Sequence, residues 1–120
     1  MTDPHHPAAV VQRQLDAYNA HDVEALLATY AADACQYAHP ATLLASGAAA
    51  IRARMAARFA DPQLHAELLQ PVVMGAIVID HERVTSSGAD GTLAVAVAEV
   101  VAIYEVSDGK IGSASVKFTV

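Results

Sequence analysis

The stretch TLAVAVAEVVAIYEVSDGKIGSASVKFTV, residues 92–120, decides the fold class. Val and Ile recur through Thr92–Val106, the longest strand signal in the chain. Ser107-Asp-Gly then supplies the chemistry of a tight hairpin turn, and Lys110–Val120 reads as the returning strand. Upstream the same period of two continues. Ser86–Gly91 is turn chemistry, Gly75 allows a bend into a strand over Ala76–Thr85, and Leu64–Met74 is strand-like. Pro71 interrupts that last run, which places it at a bulge or on a sheet edge.

Before Asp61-Pro62 the period changes to that of a helix. Ile51, Met55 and Phe59 form a stripe along Ala48–Ala60, a helix opened by Ser46 or Gly47. Arg52, Arg54 and Arg58 fall mostly off that stripe and read first as a solvated face rather than an anion site. A first helix spans Ala8–Asn19, with Ala8, Val11, Leu15 and Tyr18 on one face, and Asn19-Ala-His-Asp ends it. Asp22 caps a second helix over Val23–Ala31. Ala34–His39 reads as a short strand stopped by Pro40, and Pro40–Gly47 as a loop. Residues 1–7 read as a loose tail and 8–120 as a single domain. Helices followed by strands define an α+β chain.

The chain has 120 residues, 54% of them apolar and 17% charged, which is the composition of one globular domain. It contains 27 alanines and no tryptophan, so a small-residue interior could leave a pocket or simply pack tightly. Seven basic residues against thirteen acidic ones give a net charge of −6, which argues against binding a nucleic-acid backbone. The longest apolar run, near Val72–Ile79, is far short of a membrane helix. The polar N-terminus has no apolar core of a signal peptide, and Cys35 has no second cysteine to pair with, so the cytoplasm is the expected compartment. The histidines are scattered, and His81-Glu82 does not continue into a zinc-binding helix pattern, because position 85 is Thr. No metal or cofactor is expected.

Several local motifs fall in a familiar order. They are Val10-Val-Gln-Arg with Tyr18-Asn-Ala-His-Asp, Leu27-Ala-Thr-Tyr-Ala-Ala-Asp33, and Gly47 with Ile51-Arg. Ile79-Asp-His-Glu-Arg-Val and Ala102-Ile-Tyr-Glu-Val-Ser-Asp-Gly-Lys-Ile111 complete the set. Together they resemble the nuclear transport factor 2-like superfamily, in its SnoaL-like and ketosteroid-isomerase-like branch. The resemblance implies a cone: a curved, antiparallel-rich, cystatin-like sheet wrapped around three N-terminal helices, with an apolar pocket between. It also implies dimerisation through the sheet and a range of roles from isomerases and cyclases to hydrolases and non-catalytic binding domains, so the fold does not fix the function. The alternation of Val101 and Ile103 against Ala102 and Tyr104 gives the open sheet face a second reason to meet a partner copy.

Isomerases of this branch place a carboxylate base at the end of the first strand and two acidic donors around the enolate oxygen, an arrangement for which ketosteroid isomerase is the standard worked case. Matched onto this chain, the base falls at Ala38 or, by adjacency to proline, at His39; the tyrosine donor falls at Gln14; the acid donor falls at Ala102. All three depart from the pattern, which argues against ordinary steroid isomerisation. His39 is the sharpest replacement base, titrating near neutrality, with Gln14 or Tyr18 as donor. Its plain alternative is a histidine facing solvent at a strand end. Tyr30, Gln36, Ala38, Met55, Phe59, Ala102, Tyr104 and Phe118 are the expected ligand-binding or core residues. Glu99 and Glu105 are expected to face solvent, Glu99 on the open sheet face. The reading is a small-molecule enzyme acting by acid–base chemistry on an apolar, carbonyl-bearing molecule. Its alternatives are a non-catalytic hydrophobic-ligand domain and a structural dimer.

Overall fold

The computed structural model describes residues 3–87 and 95–119. Of the turn expected at Ser86–Gly91, Ser86 and Ser87 are strand and residues 88–91 lie outside the described residues, as do the first residues of the strand expected from Thr92. Three helices precede most of a six-stranded sheet: α1 (Pro7–Asn19), α2 (Val23–Leu27), β1 (Tyr30–Ala38), β2 (Thr42–Ser46), α3 (Ala48–Phe59), β3 (His65–Met74), β4 (Ile77–Ser87), β5 (Val95–Ser107) and β6 (Lys110–Thr119). The sheet order is β2-β1-β6-β5-β4-β3, with β1 parallel to β6 and every other neighbour antiparallel. This is the α+β architecture expected from the sequence, with helices against one face of a mixed sheet.

The β5–β6 hairpin closes on Asp108 and Gly109, both with positive φ, which is the backbone a twisted two-residue turn requires. Alternation along β5 is clean: Val100, Ala102, Tyr104 and Val106 are buried, while Val101 and Ile103 lie half-buried on the opposite face. The inner residues meet Val10, Val11, Leu26, Ile51 and Ile111, all but free of solvent contact, to form the core. On the outer face His81 and Glu99 lie 3.3 Å apart, as do Arg83 and Glu67 at 3.2 Å, so Glu99 stands on the open face as expected.

Two boundaries differ from the sequence reading. The second helix ends at Leu27 rather than at Ala31, and the first strand begins at Tyr30. Thr29 makes the change: its hydroxyl and its N–H both donate to the Leu26 carbonyl, and its own carbonyl accepts from the Ile111 N–H at 2.8 Å. Pairing with β6 therefore takes Tyr30 out of the helix that local periodicity favoured. The expected loop at Pro40–Gly47 contains β2, which pairs with β1. Of its five residues only Ala45 is buried, so the strand lacks the alternation that would reveal it.

The Asn19-Ala-His-Asp motif ties the helices to the open edge of β3. Asn19 Nδ2 donates to the Ala66 carbonyl and Asn19 Oδ1 accepts from the Ala66 N–H, both at 2.8 Å. His21, held at φ 54°, brings Nε2 to 2.7 Å from the Leu64 carbonyl. Asp22 then caps α2 by accepting from the Ala25 N–H. Pro71 lies on this same edge strand, and a register shift sits between Leu68 and Gln70.

Asn19→Ala removes both bonds from a buried strand residue and should cost about 1–3 kcal/mol. Urea unfolding of the two proteins measures it, with Gln12→Ala on the exposed side of α1 as the near-neutral control.

Candidate active site

A cavity opens between the inner sheet face, α1 and α3. It is narrow, with a volume of about 60 Å³. Val84, Val100, Val116 and Phe118 give it an apolar wall.

β4 carries the acids. Asp80 and Glu82 are two residues apart, hence on one face of the strand, and that face is the inner one. Both are buried, at 2% and 6% exposure. Their cross-strand neighbours are apolar: Asp80 lies between Ala102 and Pro71, Glu82 between Val100 and Leu68. Burial pushes Asp80 up from the ordinary 3.8 to about 6. Burial, aided by the Asp80 charge, pushes Glu82 up from 4.5 to about 7. Glu82 lines the cavity. Its carboxyl can therefore change charge near neutral pH in a dry setting, as a proton-transfer group requires.

The hydrogen-bonding groups come from the other walls. The Tyr104 hydroxyl donates to Gln14 Oε1 at 3.2 Å, and Gln36 Nε2 donates to the Tyr30 hydroxyl at 3.3 Å. Tyr30 thus accepts from Gln36, with Gln14 a second hydrogen-bonding neighbour, and its hydroxyl carries one hydrogen to donate. Burial lifts Tyr30 to about 12, opposed by the Gln36 hydrogen bond, and lifts Tyr104 well above its ordinary 10, so both stay protonated donors. From α3, Arg54 Nη1 donates to Gln36 Oε1 at 2.8 Å and Arg58 Nη2 donates to the Tyr18 hydroxyl at 2.9 Å.

Gln14 and Tyr18 therefore both line the cavity. Of the expected ligand-binding residues, Tyr30, Gln36, Met55, Ala102, Tyr104 and Phe118 line it too. Ala38 and Phe59 do not. Phe59 is taken up by an edge-on contact with Tyr18 and a stack on His21. His39, expected as the base, is exposed and lies outside the cavity lining. The strand explains this. Gln36 faces in, the register shifts between Gln36 and Tyr37, and the His39 backbone N–H donates to the Val116 carbonyl as the strand ends.

Glu82 was not expected at the site, and Arg54 and Arg58 read first as a solvated face rather than an anion site. The signal for Glu82 was its parity with Val78 and Val84, both buried. The signal for the arginines was their spacing from Ile51, at i+3 and i+7, which belongs to the inward side of a helix. Among the described residues, no cluster of three His, Cys, Asp or Glu side chains could hold a metal ion, and no helix is long and apolar enough to cross a membrane.

The chain belongs to the SnoaL-like domain family, whose model matches residues 11–113. It therefore falls within the nuclear transport factor 2-like superfamily. Among solved structures it is similar to a cystatin-fold protein of Novosphingobium aromaticivorans, at 29% identity and a TM-score of 0.85, over 92% of this chain and 97% of that one. A protein with a ketosteroid isomerase-like fold from Catenulispora acidiphila, solved with trimethylamine, gives 16% identity and a TM-score of 0.78 over 89% and 82%. An epoxide hydrolase of the LEH-like type from M. tuberculosis gives 15% and 0.77 over 94% and 82%. No curated protein sequence matches the chain.

Both raised acids hold their protons to higher pH in the folded chain than in the unfolded one. Between about pH 4 and 7 the folded state therefore binds more protons, and stability falls as pH rises. With each acid raised by a little over two pH units, the fall should be at most on the order of 6 kcal/mol in all. Glu82→Gln and Asp80→Asn should each flatten it in urea melts at pH 5 and pH 8.

Proposed function

We propose that the chain is a small-molecule enzyme that moves a proton on a compact, apolar-bodied, carbonyl-bearing substrate held in the cone. Glu82 is the base. Tyr30 supplies the hydrogen bond to the substrate oxygen, with Gln36 holding its hydroxyl in place and Tyr104–Gln14 completing the polar wall. The observation that carries this reading is a cavity-lining carboxyl, Glu82, buried among Val100, Leu68 and Val84 and poised to titrate near neutrality.

The proposed step is a carbon-to-carbon proton shift through an enolate. Glu82, ionised, takes the proton from the carbon beside the carbonyl. Negative charge moves to the oxygen, where the Tyr30 hydroxyl donates to it. The carboxylic acid so formed returns the proton to the same or a conjugated carbon. The free space is too narrow for a steroid nucleus without rearrangement, which fits the departure of Gln14 and Ala102 from the isomerase pattern.

The alternative is a non-catalytic domain holding a hydrophobic molecule. It draws support from the same departures, since the positions that usually carry the chemistry hold Gln14, Ala38 and Ala102. The outer sheet face, with Val72, Val95 and Val97 more than half exposed, supports a pairing of two copies there. Sedimentation equilibrium tests that pairing.

Deuterium uptake beside the carbonyl of cyclopentanone and 3-cyclopentenone, followed by NMR, separates the two functional readings. Wild type should exchange faster than buffer, with a rate that rises through about pH 7. Glu82→Gln should lose about 10²–10⁴-fold, and His39→Ala should change nothing. Binding without exchange would favour the non-catalytic domain.

A further inference from the structure

Arg54 and Arg58 occupy one side of α3, four residues apart, where like charges repel. Both line the cavity, and both are partly withdrawn from solvent. Arg52 of the same helix behaves as a surface residue should, pairing with Glu24 in the open. No acidic partner lies within ion-pair distance of Arg54 or Arg58 among the described residues. Glu82 shares their cavity but does not meet them.

Their hydrogen bonds go to neutral groups and leave much of each guanidinium unused. Arg54 spends Nη1 on Gln36 Oε1 and Met55 Sδ; Arg58 spends Nη2 on the Tyr18 hydroxyl. A guanidinium has five N–H donors in a planar fork, so each side chain retains donors for a further acceptor. These contacts also fix the two forks, so little freedom is lost when an anion arrives. In a chain of net charge −6, two such cations on one pocket wall need a counter-charge, and among the described residues no acid pairs with either.

From this arrangement we infer that the cavity takes a small carboxylic acid, with Arg54 and Arg58 gripping the carboxylate and the apolar wall taking the body. The inference rests on the reading of this cavity as a substrate site and names the substrate class. A carboxylate fits better than a phosphate. The same cavity contains Glu82, with Asp80 next along the strand, and a dianion would be repelled by both. The two arginines are less buried than Glu82, so the carboxylate sits toward the mouth and the reacting carbon reaches inward.

Calorimetric titration with benzoate, benzamide and phenyl phosphate tests this. Benzoate should bind at least about tenfold tighter than benzamide, because hydrogen bonds to a charged partner are the stronger kind. Arg54→Gln and Arg58→Gln should each weaken benzoate about tenfold and leave benzamide unchanged. Arg52→Gln should alter neither. Arg54→Lys, which keeps the charge and loses the fork, should fall between wild type and Arg54→Gln, and benzamide binding reports that each variant is folded. Equal binding of benzamide and benzoate overturns the proposal. So does benzoate binding that ignores both arginines, or no benzoate binding at millimolar concentration. Tighter phenyl phosphate than benzoate overturns the carboxylate assignment. These outcomes are independent of the exchange experiment: loss of carboxylate preference leaves proton exchange on neutral ketones standing, and absence of exchange leaves anion binding standing.

Discussion

The Ile111 N–H donating to the Thr29 carbonyl at 2.8 Å joins the helical half of the chain to the strand half. From that bond β1 runs parallel to β6, with Tyr30 beside Ile111 and Gln36 beside Ala114. Every other neighbouring pair in the sheet is antiparallel and joins strands that are consecutive along the chain. This pairing alone brings distant segments together, and it carries the sheet over the helices. Without it Tyr30 would continue α2, Gln36 would have no inward position, and the cavity would lose a wall. The site thus depends on a contact between residues some eighty positions apart.

The cavity is not a passive hollow in the core. It is lined by groups that conflict with burial: two guanidiniums on α3 and a carboxyl on β4, with a second buried carboxyl beside it. None of them is neutralised by the others. Hydrogen bonds from Tyr104 to Gln14, and from Arg54 through Gln36 to Tyr30, satisfy the neutral polar atoms, and no buried side-chain nitrogen or oxygen among the described residues lacks a partner. The unrelieved strain is electrostatic, and it is confined to the cavity. A domain that served only as a scaffold would gain stability by placing Leu or Met at position 82.

Much of the fold was legible from short-range pattern. The β5–β6 hairpin announced itself through Val-Ile alternation and Asp108-Gly109, and α1 and α3 through their stripes. What was illegible depended on long-range pairing. Tyr30 reads as helix until β6 is present, and β2 is too exposed to alternate. The site was less legible than the fold for a related reason. Aligning catalytic roles by position drew attention to Ala38, His39 and Ala102, where family members keep their chemistry. Here the charged groups have moved to neighbouring elements, onto β4 and α3. Gln14 stands at the donor position that the resemblance implies, Tyr30 falls in an apolar helical period, and Gln36 shares its strand parity with Ala38. Glu82 was not recognisable, because a charged residue in an alternating strand is most simply assigned to solvent, and only the parity of Val78 and Val84 says otherwise.

The open edge of β3 bears on how copies of this chain avoid one another. An edge strand presents free N–H and C=O groups that another strand can join, which is how sheets polymerise. Here the stretch near Ala66 is already occupied, since Asn19 bonds both backbone groups of that residue as a strand partner would, and His21 takes the Leu64 carbonyl. Pro71 then removes a donor farther along. Beyond Pro71 lie only Val72–Met74, three exposed apolar residues before Gly75 turns the chain away. That is too short a template for the six or seven residues from which a cross-β ladder grows. A side-chain amide at the end of a helix thus acts as a terminator of sheet growth on this edge of the sheet.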